Sequence, residues 1–415
     1  MGLIAYPSGV QEEDTAWQVA LAEMVNRAHL ATPDQVTDIV DRAVAPLAMA
    51  VELYLVDLGQ RELHPVRRAG EPSLSVQATA AGRAFARLEI VVAAEDGTAV
   101  LWVPVLDGTE RLGATRMALP PGADPHDPAL RERCWTLAGL IAHLVVGKQA
   151  YGDLFHRVRR TKPLSVASEL LWQLLPPTVF ACDRAVIAAA MEPYDRVGGD
   201  GYDYAVDDGL AHVAIFDAMG HDLQAGLITS LALAATRNAR RAGGDLVAAA
   251  GLADETITAH RQSGTLVYAT AFLASLDLDS GRLDYLNAGH PPPVVLRQGR
   301  GVRLLDEPGR TPLGLADFQK TEPPVLHEQL QPGDRVLFYS DGVVEARDAA
   351  GTTFGLDRLV DLTERHEHAG LPAPETLRRV VRAVLDHQGG ELQDDATLLM
   401  LEWTTTDQAR MLPSL

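Results

Sequence analysis

Cysteine is nearly absent: Cys134 and Cys182 are the only two in 415 residues. They lie far apart in apolar contexts, with no CxxC pair or Cys/His cluster. That leaves no basis for structural zinc, and both read as buried free thiols in a reducing compartment. Basic residues are in the minority, 36 against 56 acidic ones, for a formal charge of −20. A surface of that sign repels phosphate backbones and anionic lipid, so neither nucleic acid nor a membrane is an expected partner. Long apolar runs are missing as well. The stretch Cys134 to Gly147 contains His143 and is shorter than the ~20 residues a bilayer span needs. Met1 to Gly9 has no basic segment, and Glu12, Glu13 and Asp14 follow, unlike a secretory signal. A soluble cytoplasmic protein is expected. No GxSxG elbow and no GxxxxGK[ST] loop occurs, which removes two common routes to hydrolysis.

What is present divides the chain. Its length calls for two or three domains, and an apolar fraction of 47% supplies their cores. Helical spacing appears at 15–31 (Trp17, Leu21, Met24, Val25, Ala28) and again after Thr32-Pro33-Asp34 (Val36, Ile39, Val40, Val44, Leu47). Strand-like pieces follow at Val51–Leu58, Glu62–Arg67, Ile90–Ala94, Ala99–Leu106 and Leu112–Leu119, interrupted by a helical stretch Val76–Arg87. One long helix is expected from about Ala129 towards Arg160, broken by Lys162-Pro163. This order over residues 15–150 resembles the topology of a GAF-type sensor domain. His64, His143 and Cys134 are read as surface or core residues rather than as haem or bilin anchors. A connector helix follows, with Leu164, Ala167, Leu170, Leu171 and Leu174 in phase, ending at Pro176-Pro177. The leucine and valine stripes of 129–160 and this connector are candidates for homodimerisation. From Phe180 on, strands at 184–191, 210–217, 269–278, 282–287, 291–297, 335–340 and 397–403 alternate irregularly with helices at 222–242, 245–262, 356–368 and 373–387. The fold class is α+β. The expected domains are 1–150, a helical linker at 151–179, and 180–405.

Four acidic motifs stand at the ends of these strands: Gly198-Gly199-Asp200, Asp217-Ala218-Met219-Gly220-His221, Ser340-Asp341-Gly342 and Asp394-Asp395-Ala396-Thr397. Any one of them alone is turn chemistry, because Asp caps amides and Gly takes positive φ. Together they place carboxylates at buried strand ends where solvation is poor, and no lysine or arginine is near Asp217, Asp341 or Asp394 in sequence except Arg347. A metal is the simplest compensation. Aspartates without His or Cys partners select Mg²⁺ or Mn²⁺ over zinc. Two such ions sharing carboxylates lower the pKa of a bridging water and clamp a phosphoryl group.

The ordered motifs carry a family resemblance. They are Arg196 to Asp203, Asp217 to His221, Leu286-Asn287-Ala288-Gly289-His290-Pro291-Pro292, Leu313-Gly314-Leu315, Pro332-Gly333-Asp334, Tyr339 to Ala346 and Asp394 to Thr397. Residues 180–403 thereby resemble the SpoIIE/RsbU branch of the metal-dependent (PPM, type 2C-like) serine/threonine phosphatases. The resemblance implies an α-β-β-α sandwich with two Mn²⁺ or Mg²⁺ ions between its sheets. It implies Asp200, Asp217, the Ala218 carbonyl, Asp341 and Asp394 as ligands, with Asp395 sharing or replacing the role of Asp394. Asp217 and Asp341 are then the catalytic carboxylates, and Asp203 is assigned to the outer shell. His290 is read as a structural cap, and His221 as a candidate acid or second-layer donor. The implied substrate is a phosphorylated STAS-type anti-anti-sigma protein. Two departures stand beside the metals: Gly201 where an aromatic is frequent, and Asp222 where glycine is usual. The phosphate-holding arginine has only Arg196 as a weak counterpart. The alternatives are an inactive phosphatase-fold binding module and a hydrolase of small phosphate esters.

Overall fold

Strand alternation and helical stripes resolve into two compact units, Met1–Thr161 with Arg410–Leu415, and Lys162–Ala409. The computed structural model describes residues 8–67, 71–192, 195–196, 198–220, 222–261, 266–321, 324–403 and 411–413. No helix among them is long and apolar enough to cross a membrane.

The first unit is a six-stranded antiparallel sheet. Across it run Leu74–Ser75, Glu62–Pro65, Ala50–Val56, Glu110–Ala118, Thr98–Asp107 and Val91–Glu95. Side chains of period 2 build two cores, one on each face. Leu53, Leu55, Leu101 and Val103 meet Trp17, Met24, Ile39 and Leu137 from helices Ser8–Ala28, Val36–Val44 and Pro128–Gln149. Tyr54, Val56, Val100 and Trp102 meet Ala81, Ala84 and Phe85 from helix Ala80–Arg87. That helix starts later than its sequence suggested, because Thr79 caps it by accepting from Gly82 N at 3.0 Å. The expected single helix to Arg160 is instead two, Pro128–Gln149 and Leu154–Arg159. Tyr151 N closes the first on Lys148 O, and Gly152 then lies against the Pro33 ring. Leu130, Leu137, Ile141 and Val145 are buried in the unit's own core, so this stripe does not call for a second copy. Cys134 lies in the same core and its thiol is pushed up to about 12 by burial. Cys182 in the second unit is half-buried, and both cysteines are free. His143 is exposed and pairs with Asp107 at 2.7 Å.

The second unit is a sandwich. Its first sheet runs Leu326–Gln329, Arg282–Ala288, Ala269–Asp277, Leu210–Ala218, Asp200–Asp207. The second runs Arg300–Leu304, Val294–Arg297, Arg335–Tyr339, Ala396–Trp403, Ala185–Glu192, Val179–Ala181. Between them, Val213, Ile215, Phe272 and Tyr285 interdigitate with Ile187, Val336, Phe338 and Leu399. The Phe272 ring lies 5.3 Å from Tyr285 and 5.7 Å from Phe338. Helices Leu223–Arg241 and Leu246–His260 cover the outer face of the first sheet. Helix Ala373–His387 covers that of the second, with Leu356–His368 beside it. The α-β-β-α order is complete. The connector helix Val166–Leu174 belongs to this unit. It packs on Leu223–Arg241, where Gly226 admits Ala167 so closely that a Cβ would stand 2.8 Å from it.

Four strands of the sandwich went unrecognised in the sequence: Val179–Ala181, Asp200–Asp207, Arg300–Leu304 and Leu326–Gln329. They are the edges of its two sheets. Edge strands are short, charged or partly exposed, so the apolar runs that mark central strands are missing from them.

The second sheet also buries charge. Arg335 and Glu402, opposite each other in register, pair at 2.6 Å, and Arg335 reaches Glu367 at 2.8 Å. Glu402 is fully enclosed. Removing Glu402 leaves the buried Arg335 with Glu367 as its remaining carboxylate. Glu402→Ala is expected to lower unfolding stability by roughly 1.5–3 kcal/mol in urea titrations, the scale of a charge-assisted hydrogen bond; a loss below about 1 kcal/mol, the range of an exposed pair, would show that Glu367 alone satisfies Arg335.

Candidate metal centre

Each acidic motif is fixed by backbone geometry before its side chains interact. In the first sheet Asp217 is the register partner of Asp200 on one side and of Thr270 on the other. Asp217 shares the alternation of Val213 and Ile215, and Asp200 that of Tyr202, so both side chains face the space between the sheets. Ala218 N donates to Gly199 O at 3.0 Å, and Met219 N to Tyr268 O at 3.1 Å. The Ala218 carbonyl lies over Gly199, where any Cβ would stand 2.3 Å from its oxygen.

From the second sheet, Asp341 follows strand Arg335–Tyr339 as the first residue of the turn of helix Asp341–Val344. Asp394 and Asp395 immediately precede Ala396–Trp403. Ser340 joins these ends: its N donates to Thr397 O at 3.0 Å, and its Oγ accepts from Thr397 N at 2.9 Å. Gly342 is compulsory here, since a Cβ would fall 1.9 Å from Asp395 O.

Asp395 then ties sheet to sheet. Its Oδ2 accepts from Gly198 N at 2.7 Å, Gly199 N at 2.8 Å and Asp200 N at 3.2 Å. On the other side of that loop, the Thr229 hydroxyl donates to Gly199 O. Thr229 had no motif to announce it. Its only signal is a small polar residue on the buried face of helix Leu223–Arg241.

The electrostatics are one-signed. Burial, then Asp217 and Asp395, push the Asp200 carboxyl well above the usual range, against a smaller pull from the Ser340 and Thr397 hydroxyls. Burial, then Asp341, Asp394 and Asp395, raise Asp217 to about 7. Burial, Asp394 and Glu345 raise Asp341. Asp395 is raised by burial, partly offset by its three amide donors. Asp200 Oδ2 is buried without a hydrogen-bond partner. No ion pair reaches Asp200, Asp217, Asp341 or Asp394 among the described residues. Exposure grades across the group: Asp200 is buried, Asp217 and Asp341 half-buried, Asp394 exposed. This corrects the expectation that Asp394 is poorly solvated; it stands at the mouth. As placed, no three His, Cys, Asp or Glu side chains among the described residues form a finished coordination shell. The donor set nevertheless fits a hard divalent cation: oxygen ligands only, mutually repelling, one of them orphaned.

Other residues fall elsewhere. Asp203 is not beside the cluster. Three positions beyond Asp200 on the same strand, it faces the helices, where Arg237 grips it at 2.8 and 2.6 Å and Arg240 at 2.9 Å. Gly201 faces the same way. A Cβ there would meet Thr229 Cγ2 at 2.6 Å, which explains why a larger residue is absent. Asp222 is a helix cap, accepting from Gln224 N at 2.9 Å and Ala225 N at 3.1 Å. Arg196 is exposed, 3.8 Å from Asp195. His221 lies outside the described residues.

His290 is enclosed in its loop. Its N donates to Asn287 Oδ1 at 2.8 Å, Asn287 Nδ2 returns to His290 O at 3.0 Å, and Nδ1 shares a 2.9 Å bond with Thr270. Burial lowers its pKa to about 3, so the folded chain holds it neutral while the unfolded chain protonates near 6.5. A depressed folded pKa on a base means stability falls as pH drops below the unfolded value. By pH 4 the cost is roughly 3 kcal/mol. Urea unfolding of His290→Gln at pH 7 and pH 4.5 is expected to show a shallower loss than the parent chain; equal losses would remove His290 as the cause.

Residues 207–404 match the sequence model of the family described as Stage II sporulation protein E (SpoIIE). The chain is 26% identical over 239 residues to phosphoserine phosphatase RsbU of Bacillus subtilis, covering 57% of this chain and 69% of that one. It is 25% identical over 209 residues to phosphoserine phosphatase RsbP of the same organism, covering 50% and 49%. Among solved structures, the RsbU and RsbW domains of a Mycobacterium tuberculosis protein align at 28% identity and a TM-score of 0.46, covering 53% of this chain and 62% of that one.

Proposed function

We infer that this chain is a metal-dependent protein serine/threonine phosphatase; the match of residues 207–404 to the SpoIIE family model supports this reading. The observation that carries the inference is the set of carboxylates from two sheets, held by backbone anchors and supplied with no cation among the described residues. In this reading Asp200, Asp217, Asp341, Asp394 and the Ala218 carbonyl hold two Mn²⁺ or Mg²⁺ ions. Such ions, when bound, supply an activated water and screen a phosphoryl group's charge. Asp217 and Asp341 are the central carboxylates. Asp395, with one oxygen engaged by three amides, acts by positioning Asp200, whereas its sequence motif alone had allowed it to replace Asp394 as a ligand.

The substrate in this reading is a phosphoserine or phosphothreonine on a STAS-type partner protein. The similarity to two phosphoserine phosphatases supports it. The absence of a basic, glycine-rich phosphate cradle in the sequence argues against small phosphate esters. The first unit is assigned a GAF-like regulatory role, and the chain a cytoplasmic setting.

Asp217→Asn and Asp341→Asn are each expected to cut Mn²⁺-dependent phosphate release from a phospho-STAS protein by at least 100-fold, the scale of losing a charge-stabilising group at the reacting centre. Their metal-free unfolding midpoints should equal or exceed that of the parent, since each substitution relieves like-charge repulsion. Unchanged turnover in both would sink the two-metal assignment. Asp395→Asn separates positioning from ligation: it should weaken Mn²⁺ binding in calorimetry while retaining a measurable share of activity at saturating metal. No retained activity at any metal concentration would return Asp395 to the ligand set.

A further inference from the structure

Two cavities meet on the helix-facing side of the first sheet of the sandwich, at the end away from Asp217. One encloses about 470 Å³ and the other about 700 Å³, and His212, Arg240 and Gly243 line both. They lie beneath the tip of the helical hairpin, where Gly243-Gly244-Asp245 joins Leu223–Arg241 to Leu246–His260. From His212 to Asp217 is five residues of strand, roughly 17 Å, and the two side chains point to opposite faces.

The floor of the smaller cavity departs from the pattern around it. His212 pairs in register with Ser275, and Ser275 with Asp284, so three polar side chains form a row across three strands. From that row towards the Asp217 end, the same face of these three strands is apolar: Ala214, Phe216, Leu273 and Leu286. The charged groups at the cavity are already matched. Arg240 donates to Asp203 at 2.9 Å, Arg282 to Asp284 at 2.8 Å, and Asp245 accepts from Ala248 N at 2.8 Å. His212 and Ser275 are not matched: among the described residues, neither the imidazole nor the hydroxyl makes a hydrogen bond. Burial and the Arg240 charge lower the His212 pKa, keeping the ring uncharged. The walls beside them are Leu246, Leu273 and Ala249.

We propose that the 470 Å³ cavity is a binding site for a small uncharged molecule, largely apolar, with a hydrogen-bonding group that engages His212 and Ser275. Its volume falls within the range of about 300–1,000 Å³ usual for small-molecule sites. The balanced charges give no field to recruit an ion. An apolar body would cover Leu273 and Ala249, and its polar group would complete the two side chains the fold leaves open. This proposal does not depend on the phosphatase reading, because its test measures binding and not phosphate release.

The probe is Nile red, an uncharged dye whose emission rises in apolar surroundings, titrated into the full chain. The expected result is saturable binding of one dye per chain. Ala249→Phe, which fills the cavity, should weaken it at least tenfold, and Ser275→Ala about threefold or more. Thermal unfolding of each variant establishes that it is folded. Hydrogen exchange of the parent chain with dye should slow at 212–214, 240–249 and 273–275. No saturable binding, affinity within twofold of the parent in folded Ala249→Phe, or slowed exchange confined to other segments would overturn the proposal. Should Ala249→Phe fail to fold, Ser275→Ala and the exchange footprint decide it.

Discussion

Like-charge repulsion among carboxylates that cannot move apart is the constraint on which the second unit depends. At an effective dielectric of about 20, two charges 4 Å apart repel by about 4 kcal/mol, and burial adds to it. Side chains on a loose scaffold would swing away. Here each is set by a covalent or hydrogen-bonded neighbour: Asp217 by its sheet register with Asp200, Asp341 by the strand end at Tyr339, Asp394 by the amide of Asp395. The Asp395 carboxylate is the strap that makes the arrangement one site instead of two sheet edges. It converts a negative charge that would add to the repulsion into an acceptor for three amides, and those amides belong to the loop that delivers Asp200.

The strap explains the glycines better than turn chemistry does. Gly199 and Gly342 sit where a Cβ would strike a carbonyl, Ala218 O and Asp395 O respectively. Both positions are close approaches of one strand end to another. Gly201 is a third close approach, against a helix instead of a strand. Thr229 serves twice there: its methyl occupies the space above Gly201 and its hydroxyl holds Gly199 O. Backbone packing of this kind fixes where the acidic side chains stand.

Much of this was legible in the chain. The ordered acidic motifs, the central strands and the four flanking helices of the sandwich were all marked by composition and period. What was lost follows from physical causes. The edge strands lacked the apolar runs of the centre. The helix from Pro128 ends at Gln149, and Gly152 just beyond it lies against Pro33, a long-range contact that local periodicity does not carry. Asp203 was misplaced by proximity in sequence. Three residues along a strand reverse the face, so Asp200 and Asp203 could never have served one site. Asp222 was read as a perturbation of the metal site when its position just before a helix already made it a cap.

Asp203 also gives the strongest internal comparison for the acidic cluster. Both it and Asp200 are almost completely buried on the same strand. The fold places two arginines from one helix on Asp203, which is the ordinary remedy for a buried carboxylate. Asp200 and Asp217 sit one strand face away and receive none among the described residues. They have backbone anchors, a graded path to solvent through Asp341 and Asp394, and an orphaned oxygen at its closed end. That one buried aspartate is neutralised so thoroughly, while its neighbours have no cationic partner among the described residues, is the contrast that supports the proposed metal site.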